Sequence, residues 1–383
     1  MKPQQRALLG LLCLATVCQA QSKLSVHGYL NQAFAISRSH QIFGIPTDGT
    51  TDYRNLALQF RYELNEDDNL TIQLNHSRSG LNPVFAGDDD VQLDWAYIQH
   101  NFSEKTSVKI GKIQMPFGIY NEIRDVGVLL PFYNLPYAPY GEGSYMGETI
   151  DGFNLSHSFT GWSPWELSFS FYGGHWEWVE WQRSIELGTG AIIDLVATAK
   201  VNNALGTQVW LSTPISGVRL GVNVASGSMS EGLNFGEGAL FGNRRVFMEA
   251  ASLDATFDHL FLRSEFLHLT LVDSDLMGLI YYVQGGVKFL NDRIGLHAQA
   301  DFFEVHDVPL IEILVPLLRF EKASFDYNKN YAVGVSFALT SDLVLKTEAH
   351  WNRGYLVEDA FLFPYTQKPL DSQYAIFSLS TSF

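Results

Sequence analysis

The 383-residue sequence has two cysteines, Cys13 and Cys18, and both lie in its first twenty residues. Beyond them there is no thiol, which excludes a disulfide framework and a cysteine nucleophile from the rest of the chain. Charge is also scarce. Asp, Glu, Lys and Arg make up 17% of the residues, against about 25% in ordinary soluble domains. Basic residues are the scarcer sign, 25 Lys and Arg against 41 Asp and Glu. That balance argues against nucleic acid as a partner, since phosphate backbones are held by dense positive charge. After residue 20 no apolar run approaches the ~18–20 residues that a membrane helix needs. The 11 histidines are scattered, and there is no HExxH, no GxSxG and no phosphate-binding loop. Nothing marks a metal centre or a catalytic nucleophile.

What is present is apolar and aromatic: 46% hydrophobic residues, with 27 Phe and 17 Tyr. They are spread at period two. "NLALQFRYEL" puts Leu56, Leu58, Phe60, Tyr62 and Leu64 on one face, with Arg61 and Glu63 on the other. "WELSFSF", "GVRLGVNVAS" and "RIGLHAQADF" repeat the alternation from Trp165, Gly217 and Arg293. This is strand periodicity, not helical periodicity. Apolar residues facing lipid and polar residues facing water, segment after segment, is the pattern of a transmembrane barrel.

The N-terminus "MKPQQRALLGLLCLATVCQAQS" reads as an export signal. Lys2 and Arg6 precede a short apolar core from Ala7 to Val17, and Cys18-Gln19-Ala20 supplies small residues for cleavage. The expected division is a leader over 1–20, removed, and one transmembrane β-barrel domain over 21–383.

Loop lengths set the strand number. Outer-membrane barrels alternate short turns with long loops. Short turns are expected at Asn65–Asn69, Ser103–Thr106, Thr160–Pro164, Pro214–Gly217, Asp258–His259, Asn291–Asp292 and Ser341–Asp342. Longer gaps are expected at 37–52, 79–89, 115–148, 175–205, 227–243, 272–276, 305–327 and 353–371. The count gives about sixteen antiparallel strands and an all-β fold. Placing 191–205 in a loop keeps the number even, although "AIIDLVATA" there is apolar. The last residues, "FSLSTSF", continue the alternation to Phe383, so the final segment is expected to pair with the first strand and close the barrel.

The most distinctive stretch is "DWAYIQHNFSEKTSVKIGKIQMPFGIYNEIRDVGVLLPF", Asp94 to Phe132. With Asp94, Ala96 and Tyr97 in one strand, Gly111 in the next, and Pro116-Phe117-Gly118 followed by Asn121, Glu122, Arg124 and Asp125, it resembles the phosphate-selective-porin-like group of proteobacterial porins. "WLSTPISGVRLG", Trp210 to Gly221, resembles a strand–turn–strand unit of the same group. The resemblance implies a passive, trimeric pore of sixteen strands in a Gram-negative outer membrane. It also implies contact with lipid and lipopolysaccharide, and Phe383 as the mark read by the barrel-assembly machinery. Phosphate selectivity does not carry over, because the dense ladder of basic residues is missing.

Segment 115–148 lacks alternation but is rich in rings and prolines, among them Phe117, Tyr120, Phe132, Tyr133, Tyr137, Tyr140, Pro131, Pro136 and Pro139. Ordered, functional loops have this composition. Pro116, Phe117, Gly118, Glu122, Arg124 and Asp125 are its candidate constriction residues, folding into the lumen. A cap outside the barrel or a contact between subunits is the other reading. Candidate lumen-lining residues are Arg61, Glu63, Lys109, Arg219, Arg263, Glu265, Lys288, His297, Asp301, Lys346, Glu348 and His350. Inward charge on many strands favours a water-filled interior.

Other features read as structural. Trp176, Trp178 and Trp181 suit an aromatic girdle or outer-loop packing better than sugar stacking. Asp88–Asp90 lack the spacing of a calcium loop. Val308–Phe320 is apolar and packs at the barrel mouth or against another subunit. The expected function is diffusion of small hydrophilic solutes without cofactor or metal. The alternatives are a barrel enzyme of lipase or protease type, and a plugged structural or adhesive barrel.

Overall fold

The computed structural model describes residues 23–82, 91–140, 147–185, 192–231, 233–234, 239–240, 244–272, 276–309, 322–354 and 369–383. The expected leader, Asp88–Asp90 and nearly all of the apolar 308–320 stretch lie outside them.

The described residues form eighteen strands: β1 (Leu24–Arg38), β2 (Thr50–Glu63), β3 (Asp68–Ser79), β4 (Gln92–Ser103), β5 (Thr106–Gln114), β6 (Thr149–Trp162), β7 (Trp165–Ile185), β8 (Ile192–Ser212), β9 (Val218–Glu231), β10 (Leu233–Asn234), β11 (Ala239–Leu240), β12 (Arg244–Thr256), β13 (Leu260–Val272), β14 (Leu276–Phe289), β15 (Ile294–Pro309), β16 (Lys322–Thr340), β17 (Leu343–Gly354) and β18 (Leu370–Ser382). Sixteen of them close one antiparallel barrel, while β10 and β11 pair with each other. All seven expected short turns separate consecutive barrel strands. The loop placed at 191–205 is a strand instead. β7 and β8 each run for 21 residues and pair from Glu166↔Ser212 to Ile185↔Ile192. Reading 175–205 as one gap therefore mistook the tall end of a hairpin for a loop.

Cross-strand register puts directly paired residues on one face. Leu30, Phe34, Phe266, Val283, Leu296, Val333 and Phe377 are exposed on the outer face, the surface that lipid covers in a membrane barrel. Near the long-loop end, rings form a row around that face. Tyr281 stacks on Phe302 at 4.9 Å, Phe302 meets Tyr331 at 5.8 Å, and Tyr331 pairs with Trp351. Aromatic belts of this kind mark membrane–water interfaces.

Above that row the alternation inverts. On β13 the inward residues change from Arg263 and Glu265 to Leu267, Leu269 and Leu271, all three buried. Outward, Leu262 and Phe266 give way to His268 and Thr270, with His268 Nδ1 2.8 Å from Glu249 of β12. On β15 Phe303 is buried inside while Glu304 lies on the opposite face. A strand that projects past the lipid meets water outside, so its apolar side turns inward. Val246, Met248, Ile280, Trp176 and Val201 join the three leucines in one packed cluster. Part of the interior is therefore an apolar core, where uniform alternation had suggested water throughout. Trp176 belongs to this core, not to a girdle; Trp178 and Trp181 follow it along β7.

Closure falls on β1 and β18, paired from Tyr29↔Ser382 to Arg38↔Gln373. Gly28 and Phe383 exchange two backbone hydrogen bonds of 3.0 Å, and the Phe383 ring lies over Gly28. A Cβ at Gly28 would stand 2.5 Å from that ring and 2.8 Å from the Ala57 carbonyl oxygen. Gly28→Leu is expected to cost about 1–3 kcal/mol by overpacking. The readout is the fraction of protein migrating as the compact band in unheated SDS electrophoresis. The variant should show less of it than the wild type, and equal fractions would show that the seam tolerates the side chain.

Candidate functional site

Between β5 and β6 lies a segment whose described residues 115–140 fold into the barrel. Its neck is closed by Met115 N–H to the Glu148 carbonyl at 3.0 Å and by Asn121, whose amide donates to the Met115 and Glu148 carbonyls at 2.8 and 3.1 Å. The chain then winds through short i→i+3 bonds from Tyr120 to Leu130, with a 3-10 turn at Gly127–Leu129 and one helical turn at Tyr137–Tyr140.

The strongest anchor is Glu265 of β13. Its buried carboxylate accepts from Ile119 N–H at 2.9 Å, Ser252 Oγ at 2.7 Å, Tyr282 Oη at 2.8 Å and the Tyr140 hydroxyl. Four donors around one carboxylate offset the loss of its hydration. Gly118 sits beside this cage with φ +59°, and a Cβ there would lie 2.2 Å from Tyr140 Oη and 2.7 Å from Glu265 Oε1. The glycine of the Pro-Phe-Gly motif is thus required twice, by conformation and by space. Around it, Asn223 donates to the Pro116 carbonyl at 3.0 Å and Gln208 to the Gly118 carbonyl at 2.9 Å. The Tyr120 hydroxyl bonds to Gln284 and accepts from Arg263 at 3.0 Å. Burial pushes the Tyr120 hydroxyl up to about 12, against the opposing charge of Arg263.

Two further sectors hold the segment. On β17, Lys346 Nζ donates to the Gly127 and Phe132 carbonyls at 2.6 and 3.3 Å, and Glu348 accepts from Tyr133 N–H at 2.8 Å. Phe132 lies edge-on to His297 and His350. On β1 and β2, Asn31 and Asn55 donate to the Asp125 carbonyl and carboxylate, each at 2.8 Å.

The candidate residues divide accordingly. Pro116 and Phe117 are buried anchors and Gly118 is half-buried; Glu122 is exposed, and Arg124 and Asp125 are partly so. Register places all the candidate strand residues on the interior face. Arg61, Glu63 and Lys288 are exposed toward the short-turn end, apart from the segment. Arg219 and Arg263 share the Asp254 carboxylate at 2.8 and 3.0 Å, and Arg219 lies 4.2 Å over the Trp210 ring. Asp301 accepts from Asn330 and Gln299. Glu265, Lys346 and Glu348 hold the segment. His350 is buried, stacked on Tyr374 at 4.3 Å.

Between buried positions such as Gln73, Trp95 and Tyr172, the interior wall on β3–β7 carries half-buried polar residues: Asn75, Gln99, Lys109, Ser156 and Ser170. The sequence reading missed one group here. Asp94, Asp125 and Glu148 bring their carboxylates within 4.8 Å of one another, a spacing that suits a cation as well as a shared proton. The register shift at Gln73/Leu74 opposite Asp94 and Trp95 is the trace of it in the strand pattern. A Ser–His pair also occurs, His297 Nε2 to Ser336 Oγ at 2.8 Å. His297 Nδ1 has no hydrogen-bond partner, so the carboxylate that would orient a catalytic imidazole is missing.

The fold is that of outer-membrane porins. OmpF of Salmonella typhi, solved with daunomycin, superimposes with TM-score 0.56 at 11% identity over 94% of this chain and 97% of that one. The outer-membrane channel DcaP of Acinetobacter baumannii gives 0.55 at 11%, again over 94% and 97%. An anion-selective porin from Comamonas acidovorans gives 0.55 at 9%, over 94% and 99%. No family model matches the chain, and no curated protein matches it in sequence.

Removing the main anchor should release the segment. Glu265→Ala leaves the hydroxyls of Ser252, Tyr282 and Tyr140 in a buried site without their acceptor, a loss of about 1–3 kcal/mol for each. Limited proteolysis of the folded barrel should then cut between Met115 and Glu148, where the wild type resists. Equal resistance would show that the other anchors suffice.

Proposed function

We propose that the chain is an outer-membrane porin through which small hydrophilic solutes and ions diffuse down their gradients. The observation that carries this reading is the asymmetry of the interior. The infolded segment is bound to β8–β9, β13–β14, β17 and β1–β2 and leaves half-exposed polar residues on β3–β7, so it narrows the lumen beside a wettable path. Glu122, Arg124 and Asp125 on the segment, with Lys109 on the interior face of β5, set a field that sorts solutes by charge. Export by a cleaved leader, residence in the outer membrane, assembly as a trimer and recognition of Phe383 by the assembly machinery belong to the same reading. So does the absence of catalysis, supported by the incomplete His297–Ser336 pair.

A plugged structural barrel is the second reading, favoured by the apolar cluster that fills the β12–β15 side. Purified protein in planar lipid bilayers separates the two. The porin reading expects stepwise increases in current as single barrels insert; a plugged barrel gives none at any voltage.

A further inference from the structure

Where the infolded segment meets the β1–β4 wall, three acids converge: Asp94 of β4, Asp125 of the segment and Glu148 just before β6. Asp125 and Glu148 are within hydrogen-bonding reach of each other, and a bond between two carboxyl groups needs a proton on one of them. Neutral donors surround the group. Gln73 and Asn75 donate to Asp94 at 2.8 and 3.5 Å, and Asn55 donates to Asp125. Positive charge is thin. Arg124 Nε stands 3.8 Å from Glu148, while its other nitrogens serve Asn121 and the Tyr140 carbonyl. Lys112 acts on Asp94 from β5, with its Nζ bonded to the Leu93 carbonyl. The Tyr29 hydroxyl faces the same acids from β1. Three ionised carboxylates this close repel one another, so the docked arrangement favours holding a proton. Beside them lies a cavity of about 280 Å³, lined by Tyr29, Gln73, Trp95, Gln114, Glu122 and Asp125, which gives the segment room to shift.

We propose that Asp94, Asp125 and Glu148 form a proton-operated latch that holds the infolded segment against the β1–β4 wall. The latch deepens the porin reading by giving the pore a regulator, and it rests on that reading only for its effect on current. With the proton in place, Asp125 stays between Asn31 and Asn55. Loss of the proton sets like charges against each other, and the Asp125–Glu148 side of the segment moves off Asp94 toward the lumen.

The direction with pH follows from linkage. Burial, and next the charge of Glu148, push the Asp125 carboxyl well above its usual range. The docked state therefore binds protons more tightly than the released one. Docking is strongest below the ordinary carboxyl value of about 4, and it weakens as pH rises from there toward the raised value. Within that window the ratio of docked to released segment falls up to about tenfold per pH unit for one proton.

The test follows the segment and the current separately, from about pH 4 to about pH 9. Glu122→Cys, labelled with a nitroxide, reports segment mobility by electron paramagnetic resonance in the intact, membrane-inserted barrel. Unitary conductance is recorded alongside. Mobility is expected to increase with pH, and conductance to change over the same range. Asp125→Asn keeps a carbonyl oxygen for Asn55 and removes the titrating proton, so both profiles should become flat. Glu148→Gln should do the same and serves where the first variant does not fold. A nitroxide signal independent of pH in the otherwise unaltered chain, or a transition that persists in the amide variants, overturns the latch. Absence of current at every pH overturns the porin reading instead, and the nitroxide still decides the latch.

Discussion

Inside a bilayer no water can satisfy a backbone amide or carbonyl, so a sheet that spans lipid must have no open edge. The rest of this structure follows from that demand. The sixteen strands meet their obligation by closure of β1 on β18, and the closure is tight enough to need a glycine under the terminal ring. Gly28 and Phe383 share two backbone bonds, and the space a Cβ would take at Gly28 is filled by Phe383. Closure frees the outer side chains to be apolar, and it leaves an interior that must be filled or wetted.

The protein does both. On the side of β12–β15 the interior is an apolar core, with leucines, methionine and aromatic rings packed against the infolded segment. On β3–β7 part of it is polar and half-exposed, while Ile113, Ile150, Tyr172 and Trp176 of the same region join the core. The segment is attached at several sectors of the wall, and the attachments differ in kind. Glu265 binds it through two hydrogen bonds, from Ile119 N–H and the Tyr140 hydroxyl, in a buried site where each is worth more than in water. The acids on the other flank hold it through groups that repel once ionised. A firm anchor on one wall and a conditional one on the other make the segment a fixture at Glu265 and a movable part near Asp125.

Much of the fold was legible in the sequence, because lipid imposes one rule at every second residue. Leu56, Leu58 and Phe60, or Trp165, Leu167 and Phe169, face outward for that reason, and the seven short turns interrupt the pattern where the strands end. The rule stops at the membrane boundary. Beyond the ring row of Tyr281, Phe302 and Tyr331, Leu267 to Leu271 turn inward. Of residues 175–205, read as a gap, 175–185 and 192–205 are strands that outrun the lipid. The Pro-Phe-Gly motif pointed to the segment, yet its own residues are anchors, and Gly118 matters through its contact with Tyr140 and Glu265. Asp94, Asp125 and Glu148 are far apart in the chain; only the infolding brings them together, so no local spacing announced them.

The central claim is that the infolded segment sets the bore of a continuous water path. Its most direct test is the size limit for uncharged sugars and oligosaccharides entering proteoliposomes, measured by swelling rates, for the intact chain and for a chain lacking residues 127–136. The account predicts that small sugars enter through the intact barrel with a definite cut-off, and that the shortened segment admits larger ones. The same cut-off in both, or no entry through either, would contradict it.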